Sequence, residues 1–212
     1  MTASVIMPEL QAQLQKGKRP APPPWQRPLV GTFRHRMPVQ FFDATLSHCG
    51  WVIAERVDRE IRVYDHGTIH IDTDLTGYLA TLEKARLLRG EIRDLLATYP
   101  RMARAVEAPA VKGNRLESSL IAGLIIWLEE VEPTGCGCAF ISATHVSAVL
   151  CGNSRLPSRE RKKAVKAACA HYYPESATRK WDEHQRDALA GALTHLYDMN
   201  QTQLPFKLPS FH

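Results

Sequence analysis

VQFFDATLSHCGWVIAERV, residues Val39–Val57, reads as two β-strands joined by a turn of small residues. A short apolar run ends at Asp43, and a second begins at Gly50-Trp51. A hairpin of this kind projects a carboxylate at its mouth. The next run, IRVYDHGTIHI, extends the pattern to a third strand. The chain therefore opens its ordered part with an antiparallel sheet.

Downstream the period changes. DLTGYLATLEKARLLRGEIRDLLATY carries Leu75, Leu79, Leu82, Leu87, Leu88, Ile92, Leu95 and Leu96 at helical spacing, with Asp74 or Thr73 as the expected cap and Pro100 beyond its end. MARAVEAPAV predicts a short apolar strand interrupted by Glu107. ESSLIAGLIIWLEEV predicts a helix buried on most sides, and CAFISAT another buried strand. THVSAVLC turns into a short helix, RERKKAVKAACAHYY forms a basic helix, and DEHQRDALAGALTHLYDM a final amphipathic one. Hairpin-joined strands followed by strand–helix crossovers predict an α/β fold: a mixed central sheet, antiparallel over its first three strands and then parallel, flanked by helices.

Residues 1–37 differ from the rest. Lys16, Lys18, Arg19, Arg27, Arg34 and Arg36 face one acid, Glu9, around APPPWQRPLV, which predicts a flexible basic, proline-rich arm. Residues 38–200 form the expected domain, and 201–212 a tail. The 212 residues suffice for one core, and the net charge of +5 with pI near 9.0 favours an acidic partner. Between Arg155 and Lys180, eight Lys or Arg residues face only Glu160 and Glu175. The five cysteines are scattered and odd in number, which argues against a disulfide framework and for a reducing, cytoplasmic setting. The longest apolar run, LIAGLIIWL, falls short of the ~18 residues of a membrane span, and the start of the chain lacks a secretory apolar core.

Three acids stand out. Asp43 closes the first strand. Glu107 sits within an apolar strand, where an ionised carboxylate is costly unless paired or bound to a cation. Parallel pairing of these strands would bring both acids to one rim of the sheet. Asp187 follows His184 by three residues, on one helix face, and precedes the small-residue run ALAGAL that lets the helix lie close to the sheet. Asp182 and Glu183 have structural explanations, with Asp182 and Gln185 matching a capping box. Three converging carboxylates repel one another unless cations intervene. An oxygen-rich set suits Mg²⁺ or Mn²⁺, and two ions there imply phosphodiester hydrolysis.

These residues resemble the RuvC family of Holliday-junction resolvases, within the RNase H-like superfamily. DATLSHCGWVI resembles its first motif, AVEAPAVKGN its second, ISATHVSAVLCGNSRLPSRERKKAV its third region and HQRDALAGAL its closing motif, in order over residues 38–198. The resemblance implies Asp43, Glu107, His184 and Asp187 as catalytic and metal-binding residues, with two Mg²⁺ or Mn²⁺ ions. Some members carry Asp where His184 stands. It further implies a homodimer that nicks a four-way DNA junction symmetrically, with Arg155, Arg159, Arg161, Lys162, Lys163 and Lys166 as a phosphate-contacting surface and Lys112 and Asn114 near the backbone. Ala108-Pro109-Ala110-Val111 lacks the aromatic that members often carry after the catalytic Glu. That departure and the arm suit a phage or organellar relative, acting in the host cytoplasm if phage-encoded. The alternatives are another RNase H-like nuclease, cutting branched DNA or RNA–DNA hybrids, and a silent nucleic-acid-binding protein.

Other chemistries lack support. Cys136-Gly-Cys138, with His145 and Cys151, does not match common zinc spacings. Gly135, Gly137 and Gly152 form no phosphate loop, and no serine sits in a nucleophile elbow.

Overall fold

A computed structural model describes residues 38–57, 60–100, 102–108, 115–131, 138–178 and 180–200. The arm at 1–37, the tail at 201–212, Lys112, Asn114 and Cys136 lie outside the described residues, as do residues 109–111 where the family aromatic is lacking.

Five strands form one sheet: β1 (Val39–Ala44), β2 (His48–Val57), β3 (Glu60–His70), β4 (Ala103–Glu107) and β5 (Cys138–Ile141). Their order is β3-β2-β1-β4-β5. The β1–β2 and β2–β3 pairs are antiparallel, while β1–β4 and β4–β5 are parallel. This is the mixed sheet expected from the hairpin-then-crossover pattern. Parallel strands cannot be joined by a tight turn, so helices cross over between them.

Among the described residues the α-helices are α1 (Gly77–Thr98), α2 (Arg115–Glu130), α3 (Ala143–Cys151), α4 (Ser158–Tyr172) and α5 (Glu183–Asn200). A 3₁₀ turn, Pro174–Ala177, precedes α5. Because β1 is central, alternate residues feed two cores. Val39 and Phe41 pack with Val52, Ala105 and the apolar faces of α3, α4 and α5. Phe42 packs on the other face with Val106, Leu88 and Ile92 of α1, and Leu124 and Leu128 of α2.

Two helix expectations need correction. Neither Asp74 nor Thr73 caps α1: the helix starts after Thr76, which makes no side-chain cap, and Gly77 enters it at φ +62°. Thr73 instead accepts a bond from the Leu75 amide, building the preceding turn. α2 is not buried on most sides. Ile121, Leu124, Ile125 and Leu128 are buried, Leu120 and Trp127 are partly so, and Ile126 is exposed, because α2 packs on one face of the sheet only. The capping box at α5 is present: Asp182 Oδ1 accepts from the Gln185 amide at 2.8 Å, and Gln185 Oε1 accepts from the Asp182 amide at 3.2 Å.

α5 lies unusually close to the sheet, and two glycines permit it. A Cβ at Gly50 of β2 would sit 2.0 Å from the His184 carbonyl oxygen, and one at Gly191 would sit 2.0 Å from Phe41 Cζ. Ala188, Leu189, Ala190, Ala192 and Leu193 are then fully buried. Replacing Gly191 by Val overpacks this contact, and urea unfolding is expected to show a loss of about 1–3 kcal/mol. Gly123→Ala, on α2 with open space around it, is expected to stabilise by about 0.5–1 kcal/mol.

Candidate active site

The β1–β4 register places the acids. Phe42 pairs with Val106, so Asp43 and Glu107 are the next residues along two neighbouring parallel strands. Side chains alternate across a sheet, so Asp43 shares the face of Phe41, and Glu107 that of Ala105. Phe41 and Ala105 lie in the core beneath α5. Both acids therefore face the helix that carries His184 and Asp187.

The four side chains lie near one another. Asp43 Oδ2 lies 3.8 Å from His184 Nδ1, and the two side chains are 15% and 32% exposed. Glu107 lies within electrostatic reach of both Asp43 and Asp187. Burial, then the charges of Asp43 and Asp187, push the Glu107 carboxyl up to about 8, against a small opposing effect of Arg161. Burial, then Asp43 and Glu183, push Asp187 up to about 7. The neighbouring Asp43 carboxylate raises the His184 pKa, and burial partly offsets this. Carboxylates this close and this buried hold protons when no cation neutralises them.

The donor set, three carboxylates and an imidazole, fits a hard divalent cation of the Mg²⁺ or Mn²⁺ kind. The side chains are juxtaposed rather than preassembled. Among the described residues, no group of three or more His, Cys, Asp or Glu side chains is gathered about one ion position.

Cations border one side. Glu107 and Asp187 line an open cleft with Arg161 and Lys162 of α4, over an apolar floor that includes Val146 and Val165. Arg161 is half-buried, whereas Arg155, Arg159, Lys163 and Lys166 are exposed. Ala164, Val165, Ala168 and Cys169 form the buried face of α4. Lys162 pairs with Glu183, so one of the basic residues also fastens α4 to α5. The basic set is thus split between the cleft wall and the outer helix surface.

One neighbour has no sequence signal that singles it out. His48 stacks on His184 with ring centroids 4.9 Å apart and planes at 8°. It is separated from His184 by most of the chain, and only its place two residues before Gly50 hints at the contact. Thr68 is similar: its hydroxyl donates to Asp182 Oδ2 at 2.6 Å and ties β3 to the start of α5.

No family model and no curated protein matches the sequence. Solved structures do match the fold. RuvC from Thermus thermophilus superimposes with a TM-score of 0.60 at 18% identity, covering 78% of this chain and 98% of that one. A complex of T. thermophilus RuvC with a Holliday-junction substrate gives 0.59 at 20% identity, covering 78% and 97%. The Fowlpox virus resolvase bound to substrate Holliday-junction DNA gives 0.51 at 12% identity, covering 77% and 99%. The chain has the RNase H-like fold of these resolvases over most of its length.

An acid whose pKa rises on folding binds protons as it folds, so folding is opposed as pH increases. With Glu107 moving from 4.5 to about 8 and Asp187 from 3.8 to about 7, stability in EDTA is expected to fall as pH rises from about 4 to 8. Glu107→Gln should flatten that slope and raise the melting temperature at pH 8, by roughly 2–4 °C per kcal/mol recovered. Thermal melts at pH 5 and pH 8 measure both effects.

Proposed function

We propose that the chain is a divergent member of the RuvC family: a divalent-metal-dependent endonuclease that resolves four-way DNA junctions. The observation that carries this reading is the convergence of Asp43, Glu107 and Asp187 on one face of a RuvC-like sheet, with His184 beside them. On this reading Asp43, Glu107, His184 and Asp187 hold the metal. Two Mg²⁺ or Mn²⁺ ions bound there supply activation of the attacking water and neutralisation of the leaving 3′ oxygen.

The protein supplies the positioning. Arg161 and Lys162, on the cleft wall beside Glu107 and Asp187, receive the phosphate to be cut. The exposed Arg155, Arg159, Lys163 and Lys166 follow the flanking backbone, where contacts fix register without reading sequence. Lys112 and Asn114, shortly after Glu107 in the chain, are assigned further backbone contacts. His184, raised in pKa by Asp43, can ligate a metal or carry a proton at the cleft edge.

Paired nicking needs two copies, and α1 offers a face for pairing. Tyr78, Leu79 and Leu82 are 62%, 63% and 36% exposed along the first turns of α1, and Leu75 just before the helix is 48% exposed. The buried residues of α1 are Leu88, Ile92 and Leu96, so its first half overhangs the core. An antiparallel two-fold pairing about Leu79 would bury Tyr78, Leu79 and Leu82 of one copy against those of the other. Lys84 donates to Ser47 Oγ at 3.0 Å, so the overhang begins at the hairpin that carries Asp43.

Incubation with a labelled mobile junction tests the enzyme reading. Symmetric paired nicks are expected with Mg²⁺ or Mn²⁺ and none in EDTA, and Asp43→Asn should bind the junction without cutting it. Preferential cutting of forks, flaps or RNA–DNA hybrids in the same panel would assign the chain to another RNase H-like activity. Absence of binding by the unaltered protein would remove the nucleic-acid reading altogether. For the pairing face, Leu79→Asp is expected to convert the protein from dimer to monomer in sedimentation velocity and to uncouple the two nicks.

A further inference from the structure

His184 is the least constrained kind of residue at a metal site: a partly exposed helix histidine whose terminal torsion is broad. In this fold it is held on three sides by one hairpin. Its backbone rests on Gly50, where even a Cβ would collide with its carbonyl. Its ring edge faces Asp43, with Nδ1 3.8 Å from Oδ2. Its ring face lies against His48, nearly parallel at 4.9 Å.

His48 is itself fixed. Its carbonyl accepts from the Thr45 amide at 2.8 Å and from the Thr45 hydroxyl at 2.9 Å, and its amide donates to Thr45 Oγ1 at 3.1 Å. These bonds close the turn between β1 and β2. On β3, His70 pairs directly with His48 across the strands and sets its ring edge-on, centroids 5.1 Å apart at 87°. The three rings form a row from the sheet edge to the catalytic carboxylates. Asp182, bonded to Thr68, stands near both ends of the row, within electrostatic reach of His70 and His184.

We propose that His48 is a positioning residue for His184: its ring is a flat wall that holds the His184 imidazole with Nδ1 toward Asp43, leaving Nε2 as the nitrogen that serves the cleft. Metal-binding histidines are commonly oriented by a hydrogen bond to the second ring nitrogen. Here Nδ1 stands 3.8 Å from Asp43 Oδ2, beyond hydrogen-bond reach, and the ring is held instead by stacking on His48, a task that needs a planar side chain and no particular charge. The catalytic part of this inference rests on the nuclease reading; the orientation part does not.

The test separates the two. Imidazole ¹⁵N spectra of the full-length protein report the tautomer and ring order of His184, without DNA or metal. His48→Ala is expected to shift or broaden the His184 signals toward tautomer averaging, whereas His48→Phe, which keeps a flat ring, leaves them close to the unaltered protein. In junction cleavage with Mg²⁺, His48→Ala should lower turnover by about ten-fold or more, with junction affinity unchanged, and His48→Phe should restore most of it. Unchanged His184 signals in His48→Ala overturn the proposal. So does a His48→Phe variant as impaired as His48→Ala, which would make the imidazole itself the acting group, or turnover that does not follow the spectra. If the unaltered protein cuts no branched DNA, the nuclease reading fails while the spectra still decide whether His48 orients His184.

Discussion

Three carboxylates forced onto one face is the constraint around which this protein is built. Asp43 and Glu107 cannot avoid each other, because the β1–β4 register sets them side by side at the ends of parallel strands. Asp187 is then brought down onto them by a helix whose inner face is entirely apolar or small. Left to electrostatics alone, such an arrangement would splay apart. It holds because the attachment of α5 is over-determined. The capping box fixes its first turn, Thr68 ties Asp182 to β3, and Arg186 donates to the carbonyls of Ser176, Thr178 and Trp181 just upstream. Lys162 and Glu183 join α4 to the same turn. Stability at the rim is surrendered and recovered around it, the usual relation between a functional site and its scaffold.

The parts legible in the sequence were those whose signals are local. Period-two alternation marked β1 to β3, and the step to helix-separated apolar strands marked the parallel half of the sheet. The capping box at Asp182 could be read because its partners are three residues apart. Glu107 announced itself through an energetic anomaly, an acid in an apolar strand. The misread features turn on packing instead. Leucines at helical spacing in the first half of α1 look like a core face, yet Leu75, Leu79 and Leu82 are exposed, since periodicity does not say which part of a long helix overhangs. The apolar character of α2 suggested burial all round, but a helix at the outer layer covers the sheet with one side only. The start of α1 went to Gly77, whose left-handed φ no capping pattern anticipates.

The long-range contacts of the site had no such signal. Nothing in the local sequence says that His48 and His184 stack, or that Arg161 faces the cleft while Arg159 and Lys163 face solvent. Both follow from which way a strand end or a helix face turns once the core has closed. The acid set could be assembled on paper because each member has a local signal: Asp43 and Glu107 at strand ends, and Asp187 one helical step after His184 and before a run of small residues. Its state could not. Burial and mutual repulsion, which keep Glu107 and Asp187 protonated well above the ordinary carboxylate range, exist only after folding.

The hydrogens at Gly50 and Gly191 carry a consequence for how far such a chain can drift. At these two positions the separation between helix and sheet is set by the absence of a side chain, with 2.0 Å where a Cβ would stand. Most of the remaining interior asks only for apolar groups of suitable volume, and such cores tolerate wholesale replacement. A lineage can therefore exchange nearly all of its residues while the crossing point of one helix over one hairpin stays pinned. This chain, 18% identical to RuvC from Thermus thermophilus, matches its fold across 98% of that chain.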